Sequence, residues 1–547
     1  MNKLKPKIWI IAIIAVAIFL RFYQLGINPP SLTWDEAAWG YNAYSLGIDG
    51  RDEFGKFLPY KYLESFGDFK PPMYAYLDIL PVKLFGLSEF AVRFPSALFG
   101  VFTVLTAYFL VRRIFPQSPN KEKYALWASF MLAISPWHIM LSRAAFEANV
   151  ATFFICFGVF AFLAGVRDKK WYLLLSAASF ALSFYTFNTA RIVAPLLVLI
   201  LAVGFRKELF MRKREAVSAL VVGVLLIVPI AGFLLSPQAG LRFKEVNIFS
   251  DIGVINRANQ QIENDGGSLF SKIIHNRRFA YGAEYLSHYF DNLSPGFLFI
   301  KGDGNPKFST QDVGSLYLWE LPFFVAGILF LFKRKEGSWW IIPLWLLVSI
   351  MPAATARETP HALRIETALP TFQILTAIGV VTFLNWIKNI NSGRKLKKLI
   401  LPAVFLALAG NFIYFSHGYF MHYSREFSGE WQYGYKESVG YVLANQEKYD
   451  QINITTELGR PYIYYLFYSK TDPRDFRNDA QINRDAFGFV SVDGFSKYRF
   501  AKDLPMIQSK SDRTLYIEVP GFVHPQANII KTFNLLNGKP ALNAYIL

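Results

Sequence analysis

Up to about residue 416 the chain is a series of apolar runs separated by short polar clusters, and a helix needs roughly 20 mostly apolar residues to cross a bilayer core. Eleven runs come near that length: 8 to 25, 91 to 111, 124 to 141, 148 to 166, 171 to 188, 190 to 205, 216 to 235, 316 to 332, 338 to 354, 366 to 387 and 399 to 416. The sixth is short, and the first carries Arg21 near its end, where a long stem lets the charge snorkel to the interface. Three longer segments lie outside these runs: 26 to 90, 236 to 315, and everything after about 417. In the first, residues 35 to 46 and 71 to 86 read as helices, the latter apolar enough to lie at the membrane surface. The second is polar and rich in Gly and Asn from Asn259 to Gly267, with turns at Pro295, Gly302 and Gly304. After Ser416 short β-rich runs, Ile452 to Thr456, Phe487 to Val492, Thr514 to Val519 and Ile529 to Phe533, alternate with helical patterns, which predicts a small soluble α/β domain.

Composition sharpens this. The chain is 53% apolar with 53 Phe, and only 18% charged, more apolar surface than a soluble protein of this size could bury. The net charge of +17 would fit nucleic acid, so its location decides its meaning. The first run follows Lys3, Lys5 and Lys7 and lacks a small-residue cleavage motif, so it reads as a retained anchor with a cytoplasmic N-terminus. Threading from there collects 23 Lys and Arg on that side, from the N-terminus through Arg112-Arg113, Lys169-Lys170, Arg206 to Arg214, Lys333 to Lys335 and Arg394 to Lys398. The three short loops opposite hold only Arg143, Arg191, Arg357 and Arg364. That asymmetry is the positive-inside pattern, so the basic excess reports topology and no nucleic-acid partner is expected. The segments 26 to 90, 236 to 315 and 417 to 547 then face outward, and the expected location is the cell (plasma or inner) membrane, multi-pass, with the C-terminal domain extracytoplasmic. The single cysteine, Cys156, excludes a disulfide framework, a cysteine zinc site and a Cys-x-x-Cys pair. Walker A, His-Glu-x-x-His, Gly-x-Ser-x-Gly and Gly-x-Gly-x-x-Gly patterns are missing from the sequence, leaving nucleotide-driven chemistry without support.

Candidate chemistry gathers on the outer face. Asp35 and Glu36 follow Thr33 just beyond the first run. Either they favour the positive end of a helix dipole, or one is a general base whose neighbour orients a partner. Lys70 precedes Pro71-Pro72 at the entry of the interfacial helix, where an ammonium either snorkels or meets a phosphate. Glu89 and Arg93 open the second crossing, Arg143 and Glu147 join the third to the fourth, and Arg357, His361 and Arg364 join the ninth to the tenth. Arginines kept on a face otherwise poor in cations suit an anionic ligand, whereas Glu89 with Arg93, or Arg143 with Glu147, one turn apart, could equally be structural bridges. His361 alone reads more readily as a hydrogen-bonded structural residue than as a base.

These residues carry a resemblance. Trp34-Asp35-Glu36-Ala37, Phe69-Lys70-Pro71-Pro72, the run Ser88 to Ala97, and Ser135-Pro136 with Ser142-Arg143 and Glu147 resemble the GT-C membrane glycosyltransferases, in particular the protein O-mannosyltransferase and lipid A aminoarabinose transferase branch. Pro360-His361-Ala362-Leu363-Arg364 is similar to a recurrent segment of bacterial relatives. The resemblance implies a polytopic α-helical membrane protein, 1 to 416 being a GT-C-like catalytic domain of about 11 transmembrane helices and 417 to 547 an extracytoplasmic α/β domain. It implies inverting transfer of a sugar from a polyprenyl-phosphate donor to an acceptor hydroxyl on the outer face, the acceptor being a glycan, a lipid or a protein. Asp35, with Glu36 beside it, becomes the catalytic carboxylate; Lys70, Arg93, Arg143, Arg357 and Arg364 become donor-phosphate ligands; Glu89, Glu147 and His361 support them. The physical logic agrees, since a base on the acceptor and fixed cations on a leaving phosphate need no obligatory metal or other cofactor. The rival readings are a polytopic transporter, which would place ionisable groups near the midplane, and a non-catalytic membrane scaffold for cell-envelope glycan assembly, which would not need Asp35 and Lys70 together. Because the motif residues precede 417, the tail is expected to recognise or position the acceptor.

Overall fold

The computed structural model of the protein describes residues 4–389, 394–484, 490–504 and 513–547. Lys3 and residues 487–489 of the expected strand from Phe487 lie outside the described residues. The chain divides into two compact units: Met1–Arg21, Leu98–Ser142 and Glu147–Phe415 form one, and Phe22–Ala97, Arg143–Phe146 and Ser416–Leu547 the other. One boundary between the units falls at Phe415/Ser416, and the second unit joins residues of the first outer segment to the tail.

In the first unit every expected apolar run carries a helix. Among the described residues five helices are long and apolar enough to cross a membrane: Glu89–Ile114, Glu147–Arg167, Lys213–Leu234, Thr371–Lys388 and Pro402–Glu426. The pair Lys121–Ile134 and Pro136–Arg143, bent by 55°, makes a sixth if it is one broken span. Tyr172–Phe184, Ala190–Gly204 and Ile341–Thr355 are apolar but shorter. The break at Ser135 has a covalent cause: Pro136 has no N–H to donate, and Ser135 before it is extended at ψ 125°. Arg21 does not snorkel. It is buried, and donates to the carbonyls of Ala133 (3.0 Å) and Leu132 (3.2 Å) at this break, with His138 Nδ1 2.6 Å away. Carbonyls at the end of a helix in apolar surroundings need such a donor more than the guanidinium needs water. Glu320–Arg334 and Thr371–Asn389 cross with their backbones touching, because a Cβ on Gly327 would meet the Leu375 carbonyl oxygen at 1.9 Å and one on Gly379 the Phe323 oxygen at 1.8 Å.

The second unit is mixed. Helix Trp34–Asp49 ends at Gly50 (φ +73°) and packs beside helix Met73–Phe85. Between them a short antiparallel hairpin, Leu63–Ser65 and Asp68–Lys70, turns through Phe66 and Gly67, both at positive φ as a tight right-twisted turn requires. Among the described residues of the tail, seven strands make one sheet, in the order 481–484, 490–495, 498–501, 451–455, 514–518, 540–546 and 528–534. The middle three are parallel, and strand Gln451–Thr455 is buried at every position, as a central parallel strand should be. Helix Pro461–Ser469 lies against Trp34–Asp49, where a Cβ on Gly40 would strike Phe467 at 2.6 Å and Val92 at 2.5 Å.

Candidate active site

Helix Trp34–Asp49 starts with a capping box: Thr33 Oγ1 accepts from the Glu36 amide (3.2 Å) and Glu36 Oε2 accepts from the Thr33 amide (2.9 Å). Successive helix positions are about 100° apart, so adjacent carboxylates face different surroundings. Glu36 points inward. Its Oε1 accepts from Arg93 Nε (2.9 Å) and from the Ala145 amide (3.0 Å), and both side chains of the Glu36–Arg93 pair are buried. Arg93 also donates to the carbonyls of Leu25 (3.2 Å), Pro29 (2.8 Å) and Ser31, so each guanidinium nitrogen has an acceptor on the protein and the loop 25–31 is tied to the helix start.

Asp35 is different. Its side chain is 50% exposed, and its Oδ1 takes a salt bridge from Lys70 Nζ. The hairpin presents Lys70 at its end, and the ammonium lies over two rings, Trp39 at 5.4 Å and Phe66 at 5.5 Å. Trp39 is one turn after Asp35 on the same helix, so acid, cation and aromatic wall share one face. An open carboxylate beside a cation held over rings can accept a proton from a hydroxyl and present positive charge to an oxyanion.

Arg143 is buried, donating to the Asn28 carbonyl (2.7 Å) and to the Tyr419 hydroxyl (3.3 Å), with the Phe420 ring 5.0 Å from its guanidinium carbon. Glu89 pairs with Lys436 of the tail (2.8 Å) and accepts from the Tyr468 hydroxyl (3.2 Å), so the one-turn bridge weighed between Glu89 and Arg93 gives way to partners distant in sequence. Beneath the hairpin, Glu53 is buried, held by Asn42 Nδ2 (3.0 Å) and the Tyr462 hydroxyl (3.3 Å), and burial pushes its carboxyl from the usual value near 4.5 up to about 8.

The other four expected residues belong to the first unit. Glu147 opens helix Glu147–Arg167. Arg357 donates to the Asn247 carbonyl and the Ser250 hydroxyl, both at 3.1 Å. Arg364 donates to the Glu358 carbonyl (3.1 Å). His361 has its ring against Phe308 and Nδ1 3.9 Å from Asp303 Oδ2; burial, then the Arg364 charge, push its pKa down to about 3, so the ring is neutral at physiological pH. Among the described residues no group of three His, Cys, Asp or Glu side chains is arranged to hold a metal ion.

Several residues in these contacts escaped the sequence reading. Trp39 had a usable signal, its spacing of four from Asp35. Lys436, Tyr468, Tyr462 and Tyr464, whose hydroxyl donates to the Leu32 carbonyl (3.2 Å), had none, because each meets its partner across several hundred residues.

Residues 69–233, which include Lys70, Arg93, Arg143 and Glu147, match the family model described as dolichyl-phosphate-mannose-protein mannosyltransferase. An uncharacterized protein of Aquifex aeolicus (strain VF5) is 31% identical over 192 residues, 35% of this chain and 36% of that protein, so the chain matches little more than a third of this relative's length. Among solved structures, ArnT from Cupriavidus metallidurans bound to undecaprenyl phosphate is similar over 98% of both chains at a TM-score of 0.57 and 12% identity. The Archaeoglobus fulgidus oligosaccharyltransferase tethered to an acceptor peptide is similar over 86% of this chain and 63% of its own, at 0.51 and 13%. At such identities the likeness is one of fold. The chain is a multi-pass membrane protein that shares its fold with these two solved structures, and its residues 69–233 are similar to the dolichyl-phosphate-mannose-protein mannosyltransferases.

Proposed function

We propose that the protein is an inverting glycosyltransferase that moves a sugar from a polyprenyl-phosphate donor to an acceptor hydroxyl on the outer face of the cell membrane. The observation that carries this reading is the separation of two neighbouring carboxylates: Glu36 is locked in a buried bridge, while Asp35 stays half-exposed and meets Lys70. The undecaprenyl phosphate bound by ArnT supports a lipid-phosphate donor, and the family match around Lys70 supports sugar transfer.

In this reading the acceptor oxygen attacks the anomeric carbon as its proton passes to Asp35. The bond from that carbon to the phosphate oxygen breaks, and the polyprenyl phosphate leaves with the electron pair. One displacement inverts the centre. Lys70 swings between Asp35 and the donor phosphate, so its charge stabilises the leaving group while Asp35 becomes a freer base. A phosphate needs no proton to depart, so one carboxylate is enough, unlike the pair that glycosidases require. Arg93 and Arg143 brace the loops that carry Asp35. The eleven-crossing topology, the cytoplasmic N-terminus and the acceptor-positioning role of 417–547 are parts of the same proposal. The test is incubation of purified protein with labelled polyprenyl-phosphate sugars and candidate glycan, lipid and protein acceptors. Formation of a product with inverted anomeric configuration is expected; failure with every donor class, in protein shown to be folded, would return the chain to the scaffold reading.

A further inference from the structure

Helix Arg277–Asp291, in the segment 236–315, is turned with its polar aromatic side inward. Tyr281, Tyr285 and Tyr289 donate their hydroxyls to the carbonyls of Asp251 (3.3 Å), Met351 (3.4 Å) and Leu347 (2.8 Å), and His288 Nδ1 lies 2.8 Å from the Ala356 oxygen. The opposite face is apolar and open: Phe279, Leu286 and Phe290 are 61%, 55% and 63% exposed, with Gly282 and Ala283 between them. The short helix before it, Leu269–Ile274, exposes Leu269, Phe270 and Ile273 as well. Water is a poor neighbour for such a stripe.

Depth identifies the neighbour. Helix Ile341–Ile350 is apolar but for the buried Ser349, and the Leu347 carbonyl near its end accepts from the Tyr289 hydroxyl. Tyr289 and Tyr285 supply donors at that end, which sets Arg277–Asp291 level with the edge of the apolar layer. Lys272, Arg277 and Arg278 are exposed at the start of the stripe, while the acidic Glu284 is engaged by Arg257 (3.0 Å) on the inner side. An apolar stripe with cations at one end suits an anionic membrane surface.

We propose that residues 269–290 are an interfacial anchor, with Phe279, Leu286 and Phe290 in the acyl region of a bilayer and Lys272, Arg277 and Arg278 on anionic headgroups. The inference is independent of the transferase chemistry. The full-length protein, labelled with an environment-sensitive fluorophore at Leu286→Cys in nanodiscs containing phosphatidylglycerol, should give blue-shifted emission, quenched by headgroup-proximal spin-labelled lipid and shielded from iodide. Cys156 is buried and stays unlabelled. The same label at the exposed Gln260→Cys should remain in water. Each cation is worth about a fivefold shift in the seated-to-wet ratio near an anionic surface, so K272E, R277E and R278E, or phosphatidylcholine alone, should raise iodide access in steps. Iodide access at Leu286→Cys in phosphatidylglycerol would overturn the anchor, and seating indifferent to charge would overturn its anionic preference. Shielding that appears only on adding undecaprenyl phosphate, or only as protein concentration rises in detergent, would assign the stripe to the donor chain or to a second copy and equally overturn it.

Discussion

Replacing Glu36 by glutamine changes little in shape, but it removes the carboxylate bonded to the buried Arg93 guanidinium. Glu36 Oε1 accepts from Arg93 Nε and the Ala145 amide, and Oε2 from the Thr33 amide and, at 3.4 Å, from Arg93 Nη2. A glutamine has one acceptor oxygen, so at least one buried donor then faces an NH2 group. Breaking a buried ion pair costs about 3–5 kcal/mol, because the surviving charge is left uncompensated. In a unit of about 150–250 residues this lowers Tm by about 6–20 °C. The neighbouring Asp35→Asn breaks a bridge whose acid is half in water, worth about 0–1 kcal/mol, and should shift Tm by a few degrees at most. Differential scanning fluorimetry of the purified variants in one detergent measures both. A Glu36→Gln protein as stable as the parent, or an Asp35→Asn protein that loses as much, would refute the division of roles between these adjacent residues.

Lys70→Ala should weaken both donor affinity and turnover, since the phosphate is negative before and after transfer; unchanged affinity for a labelled polyprenyl phosphate would remove Lys70 from the donor site. Burial raises the Glu53 carboxyl from about 4.5 to about 8, so the folded state holds a proton that the unfolded chain releases, and stability from this group falls as pH rises between those values. Glu53→Gln should flatten that slope in melting curves taken from pH 5 to about 8, and an unaltered slope would show that another group titrates. Reporter fusions after Lys170, Lys335 and Leu547 should read cytoplasmic, cytoplasmic and outside; a cytoplasmic signal from the last would overturn the eleven-crossing topology.

Periodicity carried most of the helical layout, because a run of apolar side chains in lipid has few alternatives to helix. Lengths were less legible: the run 338–354 contains only Ile341–Ile350 as regular α-helix, and Pro136 cuts another run in two. The tail's α/β character was visible in Ile452 to Thr456, which became the central strand, whereas Tyr498–Ala501 and Gln481–Arg484 are too short to announce themselves. Asp35 and Lys70 stood out by motif, but nothing local separates Asp35 from Glu36. That distinction depends on Arg93, 57 residues away, and on the amide of Ala145. Arg21 shows the same limit: its place near the end of a run predicted snorkelling, and nothing local announced its partner, a broken helix end.

The central claim is that Asp35 takes the acceptor proton while Lys70 meets the phosphate, and single-turnover transfer by Asp35→Asn tests it most directly. General-base catalysis typically contributes about 100-fold to 10,000-fold. With insertion, melting temperature and donor affinity near those of the parent, the Asp35→Asn protein should lose transfer by a factor in that range, and a shift to higher pH should not restore it. Transfer within a few-fold of the parent would contradict the account and leave Asp35 as no more than the exposed partner of Lys70.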